Sequence, residues 1–143
     1  MERQHFRVST HLFLIQQDTI LLYLRKWENQ EGMYNLIAGH LDGGETPKAA
    51  TIREAYEEAG IVIQEDDLVF EHISHSLTKE GKEYIQFYFS CTKWEGEIKN
   101  MEPEKCYSMG FFALDTLPEN TTPYIRNTLE NYKKWVSYSE FQD

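Results

Sequence analysis

From residue 5 to residue 15 the side chains alternate, with Val8, Thr10, Leu12 and Leu14 on one side, which predicts a strand. A polar turn at 16–19 leads into a second apolar run at 20–25, and the two form a hairpin. A charged loop at 26–32 precedes a short strand at 33–38. The period then changes from two to that of a helix. Thr46 is suited to the N-cap and Pro47 to the first helical position. The helix runs to Ala59, and Gly60 fits the left-handed position past its end. Residues 61–64 are extended. Strands follow at 68–77 and 83–92, joined by a loop at 79–82 that contains Gly81. In the second of these, Ile85, Phe87, Phe89 and Cys91 share one face while Tyr84, Gln86 and Tyr88 share the other. Aromatics on both faces predict a central strand covered on both sides. A polar loop at 94–105, a strand at 107–113 and a short helical turn at 115–117 come next. A last helix starts at Thr122 and Pro123, with Ile125, Leu129, Tyr132 and Val136 as its apolar stripe. Strands, helix, strands, helix is an α/β (α+β) order: a mixed central sheet with helices packed on its faces. The length of 143 residues suits a single domain over 1–143.

The first helix has a second pattern. At 100° per residue and with Glu54 as origin, Glu57 falls at about −60° and Glu58 at about +40°. The three carboxylates share a face, and Ile52, Ala55, Tyr56 and Ala59 are expected to face a core on the other side. Clustered acids repel one another unless a cation sits among them. Carboxylate oxygens suit hard divalent ions such as Mg²⁺ or Mn²⁺. A run such as REAYEEAG is also what a solvated helix with i,i+4 pairs looks like, for example Arg53 with Glu57. Gly39, Glu45 and Gly60 stand at fixed offsets from that run.

Written out, Gly39–Ile61 resembles the Nudix box, G-x5-E-x7-R-E-U-x-E-E-x-G-U, where U is a bulky aliphatic residue. Every fixed position is met, and Ala55 at a U position is the one departure. The resemblance implies a Nudix-type α/β/α sandwich that hydrolyses a nucleoside diphosphate linked to another group, with Mg²⁺ as cofactor and Mn²⁺ as a substitute. It implies Glu57 and Glu58 as metal ligands, and Glu54 as a ligand or as the base that activates water. Glu45 would support the metal shell or Arg53, and Arg53 would orient Glu54 or Glu57. The backbone carbonyl of Ala38 would add a metal contact, and Gly39 lies in the substrate turn.

Outside the box, the loop NMEPEKC places Glu102 and Glu104 where similar enzymes set one further acid near the metals, and sequence does not choose between them. The E-P-E-K run is similar to one in MutT-like nucleoside triphosphate hydrolases, which makes Lys105 a candidate for a phosphate or base contact. His40 is a candidate phosphate or base donor, or a turn residue with a satisfied ring. His72 and His75, three apart on a strand, lie on opposite faces and make no metal pair. Trp27, Tyr34, Tyr84, Tyr88 and Phe111 are candidates to stack on a base, with core packing as the commoner role for strand aromatics.

Charge and composition narrow the substrate. A net charge of −10 argues against sequence-independent nucleic-acid binding and against capped RNA ends, and leaves a small nucleotide. No apolar run is long enough to cross a membrane, and the N-terminus has no apolar export signal. Cys91 and Cys106 have no metal-type spacing and are expected to be reduced thiols in a cytoplasmic protein. ADP-ribose hydrolases in this family often carry a proline about sixteen residues past the box, where this chain has Leu77. The tyrosine mark of dinucleoside polyphosphate hydrolases and the coenzyme A signature are not seen either. Together with NMEPEKC this favours a nucleoside triphosphate, an oxidised purine nucleotide among them, cleaved to monophosphate and pyrophosphate. The alternatives are an ADP-ribose or other dinucleotide pyrophosphatase, or a non-catalytic nucleotide-sensing module. Modules of the last kind usually lose one of the acids, and none is lost here. Trp135 and Tyr138 are candidates for a homodimer interface or for sheet cover.

Overall fold

A computed structural model of the chain describes residues 1–26 and 30–143, so Trp27 lies outside the described residues. Its centre is β1 (Arg7–Gln16), which runs parallel to β6 (Glu83–Cys91) along its length. On its other side β1 pairs with β4 (Ile37–His40) over Ser9–Leu12, and with β2 (Thr19–Arg25) only at the hairpin end, Ile15↔Ile20 and Gln16↔Thr19. Beyond β6 lie β5 (Val69–Leu77) and then β8 (Tyr138–Gln142), which is parallel to β5. The strand β2 leaves β1 after the turn and takes β3 (Tyr34–Asn35) and β7 (Cys106–Ala113) as its own partners.

Helix α1 (Pro47–Ala59) covers one face and α2 (Pro123–Lys133) the other. Period-two alternation sorts the side chains between them. Leu12, Leu14, Ile37, Phe89 and Cys91 pack with Ala55 and Ala59 of α1. Phe13, Ile15, Leu22 and Tyr88 pack with Ile125 and Leu129 of α2. The expected α/β/α sandwich with a mixed sheet, and a central strand at β6, are both present.

Three local expectations need correction. The single strand at 33–38 is two strands that switch partner at Leu36, because β1 and β2 diverge and each needs its own neighbour. In place of a helical turn at 115–117, residues 113–116 form a turn closed by Thr116 N–H to Ala113 O. Helix α2 ends at Lys133, so Val136 is not on its stripe. Trp135 adopts a left-handed backbone (φ 62°) and is 92% exposed, turning the chain into β8. His72 fastens that return: its ring Nδ1 donates to Val136 O at 2.8 Å, which leaves Nε2 to accept from the Ser139 hydroxyl at 2.7 Å. It is a buried structural histidine. Among the described residues no helix is long and apolar enough to cross a membrane.

Candidate active site

The site begins with how α1 starts and stops. Thr46 Oγ1 accepts from Ala49 N–H at 3.1 Å, and Pro47 occupies the first turn, where its missing N–H costs nothing. Gly60 closes the helix with φ 70°, its N–H bonded to Tyr56 O. Thr51 anchors the helix to β1, its hydroxyl donating to Pro47 O and receiving the Thr10 hydroxyl at 2.5 Å. The buried face comprises Ala50, Thr51, Ala55, Glu58 and Ala59, whereas Tyr56 is 60% exposed. The expected core position of Tyr56 is therefore wrong, and the packed face is rotated towards the acids. Small residues at 50, 55 and 59 let the helix approach the sheet closely, which draws Glu58 inside. Ala55, the departure from the box, is part of that close approach.

The acids do not behave alike. Arg53 grips Glu45 with two bonds, Nε to Oε2 at 3.1 Å and Nη2 to Oε1 at 2.6 Å. Its Nη1 also reaches Glu54 at 2.7 Å and Glu57 at 3.2 Å. The Arg53 hydrogen bond holds Glu45 below the usual carboxylate range. Glu54 is pushed up in spite of Arg53, first by burial and then by Glu57 and Glu102. Glu58 is only 9% exposed and is pushed well above its ordinary value, by burial, then by Glu54 and Glu102. One bond offsets this: Ala38 N–H donates to Glu58 Oε2 at 3.1 Å. The strand β4 pairs only with β1, so an N–H on its other edge is free to serve a carboxylate.

Gly39 is the place where strand and helix touch. A Cβ there would overlap the Glu54 carboxylate, with Glu54 Cγ 2.6 Å away. Only glycine lets Glu54 lie flat against β4. The downstream loop is docked on the end of α1 by Lys99 N–H to Ala59 O and Met101 N–H to Glu58 O. Asn100, which the sequence did not single out, folds the turn: its Oδ1 accepts from Glu102 N–H at 3.1 Å and its Nδ2 donates to Cys106 O at 2.8 Å. The outcome places Glu102 in the field of Glu54 and Glu58. Glu104 is exposed. Lys105 is exposed, with Nζ 3.8 Å from Glu102, and its carbonyl accepts from the Tyr23 hydroxyl at 3.3 Å. An Asn two residues before an acid in a loop was the signal available for Asn100.

His40 ends β4 on the solvent side, 6.2 Å from the Tyr84 ring. Tyr88 is fully buried, Tyr34 packs on the α2 core, and Phe111 stacks beside Trp94 on the α1 core. Of the described aromatic candidates, Tyr84 alone lies beside a box residue through a ring contact.

The donor set fits a hard divalent cation. Glu54, Glu57, Glu58 and Glu102 offer carboxylate oxygens, and the mutual repulsion of Glu54, Glu58 and Glu102 is what such an ion would relieve. Among the described residues no three His, Cys, Asp or Glu side chains converge as a ready-made cation site, and Arg53 pairs with Glu45, Glu54 and Glu57.

Comparison with known proteins agrees with this geometry. The chain matches the NUDIX domain over residues 5–142. It is 28% identical over 109 residues, 75% of its length, to the Mus musculus protein named 8-oxo-dGDP phosphatase NUDT18, and spans 32% of that relative. It thus covers about a third of the mammalian relative's length. It is 27% identical to an ADP-ribose pyrophosphatase of Methanocaldococcus jannaschii, covering 92% of this chain and 75% of that one. The structure superposes on a MutT NUDIX hydrolase from Burkholderia pseudomallei with a TM-score of 0.82 and 27% identity, over 89% of this chain and 98% of that one.

Proposed function

The chain belongs to the Nudix family, and we propose that it is a pyrophosphohydrolase acting on a nucleoside diphosphate linked to a further group. The observation that carries this is the packing of Glu54 and Glu58 against Gly39 and Ala38, with Glu102 brought into the same field by a separate loop. Burial and the neighbouring carboxylates hold both Glu54 and Glu58 above their ordinary pKa, a perturbation that is common at functional sites.

Glu57, Glu58 and Glu102 would hold Mg²⁺ or Mn²⁺, with Glu54 and the Ala38 carbonyl beside them. When bound, such an ion neutralises phosphoryl oxygens and lowers the pKa of coordinated water. The chain's own groups do the rest. Arg53 Nη1 fixes Glu54 Oε1, leaving Oε2 to take the proton of the attacking water. Glu45 holds Arg53 in that position through its two bonds. Gly39 keeps the turn close enough for the phosphates to pass over it, and His40 and Lys105 flank the substrate.

The favoured substrate is a nucleoside triphosphate, cleaved to monophosphate and pyrophosphate, with oxidised purines among the candidates. The name of the mouse relative supports an oxidised purine. The archaeal relative keeps ADP-ribose as the second reading, because it covers nearly all of this chain. Leu77, standing where ADP-ribose hydrolases often have proline, favours the first. Glu57→Gln and Glu54→Gln should each abolish Mg²⁺-dependent pyrophosphate release while the circular dichroism spectrum is unchanged. Wild-type turnover in both variants would overturn the mechanism. A panel of nucleoside triphosphates, ADP-ribose, dinucleoside polyphosphates and capped RNA sorts the substrates. No turnover on any of them would favour a nucleotide-sensing module.

A further inference from the structure

The two helices end in the same way with different residues. In each, the residue past the end takes a left-handed backbone. For α1 that residue is Gly60, the usual choice. For α2 it is Trp135, whose N–H donates to Tyr132 O at 3.1 Å while Val136 N–H donates to Asn131 O at 3.0 Å. A bulky side chain rarely adopts a φ of 62°, and here it holds an indole that is 92% exposed. Among the described residues the other non-glycine position at positive φ is Gln17, in the polar β1–β2 turn. An aromatic ring kept at a strained cap and left in water contributes little to the fold, and it suits a contact made outside the folded chain. Lys134, its neighbour, is exposed as well.

Trp135 leads directly into β8, the outermost strand, which pairs with β5. Phe87 and Phe89 of β6 pack with the α1 core, but Ile85 on the same face borders an open cavity of about 450 Å³. Ile73, Ser74, His75, Tyr138 and Glu140 complete its lining. That volume is in the range of pockets that take ring-shaped groups. The floor is apolar and the rim acidic. Glu140 is exposed and accepts from the Tyr138 hydroxyl, and Glu83 Oε2 meets His75 Nε2 at 2.7 Å. We propose that this edge is a docking surface for a second copy of the chain, with Trp135 of each copy seated in the cavity of the other and Lys134 beside the partner's Glu140. Charge complementarity selects this occupant. Two chains of net charge −10 repel unless their contact brings a cation to an acid, and Lys134 beside the indole meets the acidic rim. Knob and cavity both belong to the β8 edge, so one two-fold axis across it makes both contacts at once. The pairing does not depend on the nucleotide chemistry.

Sedimentation velocity of the full chain from about 1 to 100 µM should show a concentration-dependent equilibrium between monomer and dimer. Trp135→Asn suits the left-handed cap and removes the ring. It should weaken the dimer about thirtyfold or more, with no fall in the Tm measured at the lowest concentration. Lys134→Glu and Glu140→Lys should each weaken the dimer about tenfold. Combined in one chain they should recover most of that loss, because the exchanged charges still meet across the axis. A chain that stays monomeric throughout would overturn the proposal and leave the cavity to another occupant. A dimer indifferent to Trp135→Asn would overturn it too, as would a double variant that associates no more tightly than either single one.

Discussion

Glu58 and His11 are both buried, both titratable and both neighbours of Ala38, yet they belong to opposite faces of the sheet. On the α1 face, Glu58 is surrounded by Glu54 and Glu102, and its neutral form is favoured by burial and repulsion together. On the α2 face, His11 lies among tyrosines and is neutral because burial removes the charge altogether. The difference separates two environments. Carboxylates that repel one another crowd the α1 face, and a neutral histidine among tyrosines lies on the α2 face. A strand one residue thick keeps them apart.

The largest test of this division is at the contact between strand and helix. Gly39→Ala places a methyl group where the Glu54 carboxylate lies, so turnover should fall by about a hundredfold or more, with only a modest drop in Tm. Retained turnover would show that Glu54 does not need to lie against β4. The second test uses acid. His11 binds a proton less readily folded than unfolded, so its contribution to stability is full above pH 6.5 and is lost as pH falls towards about 3. The slope in urea-derived stability should approach about 1.4 kcal/mol per pH unit in that window and diminish in His11→Phe. An unchanged slope in the variant would assign the acid sensitivity to another group.

Glu58 has the opposite sign. Folded Glu58 keeps its proton to higher pH than the unfolded chain, so its contribution is most favourable below the unfolded value and declines as pH rises through the folded one. Glu58→Gln, which retains an oxygen for Ala38 N–H, should therefore stabilise the fold at pH 7 by about 1–2 kcal/mol while turnover is lost. A destabilised variant at pH 7 would mean that the ionised carboxylate is better solvated than its burial indicates. The smallest effect is expected at Asn100. Asn100→Ala removes both bonds that fold the Glu102 turn, and turnover should fall about tenfold, with partial rescue in Asn100→Asp through its Oδ1. Asp and Ala behaving alike would argue that the turn holds without that side chain.

Much of this was legible because it is local. Thr46, Pro47 and Gly60 determine where α1 begins and ends through hydrogen bonds within one turn. The offsets of Arg53 and the acids are fixed once that helix exists, alternation marks β1 as a strand, and aromatics on both faces mark β6 as a central one. What the chain could not reveal depends on elements distant in sequence. Tyr56 follows helical periodicity yet is exposed, because the rotation of α1 is set by how closely its alanines approach the sheet. Glu102 is distinguished from Glu104 by a loop docked on Glu58 and Ala59, and β8 exists because β5 offers it an edge and His72 a fastening. The sequence by itself determined the helix, its acids and the family chemistry they imply, since near neighbours set those angles. Only the tertiary structure decided which acids are buried and that His11 Nδ1 lacks a partner, since burial and unmet hydrogen bonds are properties of what other segments bring or withhold.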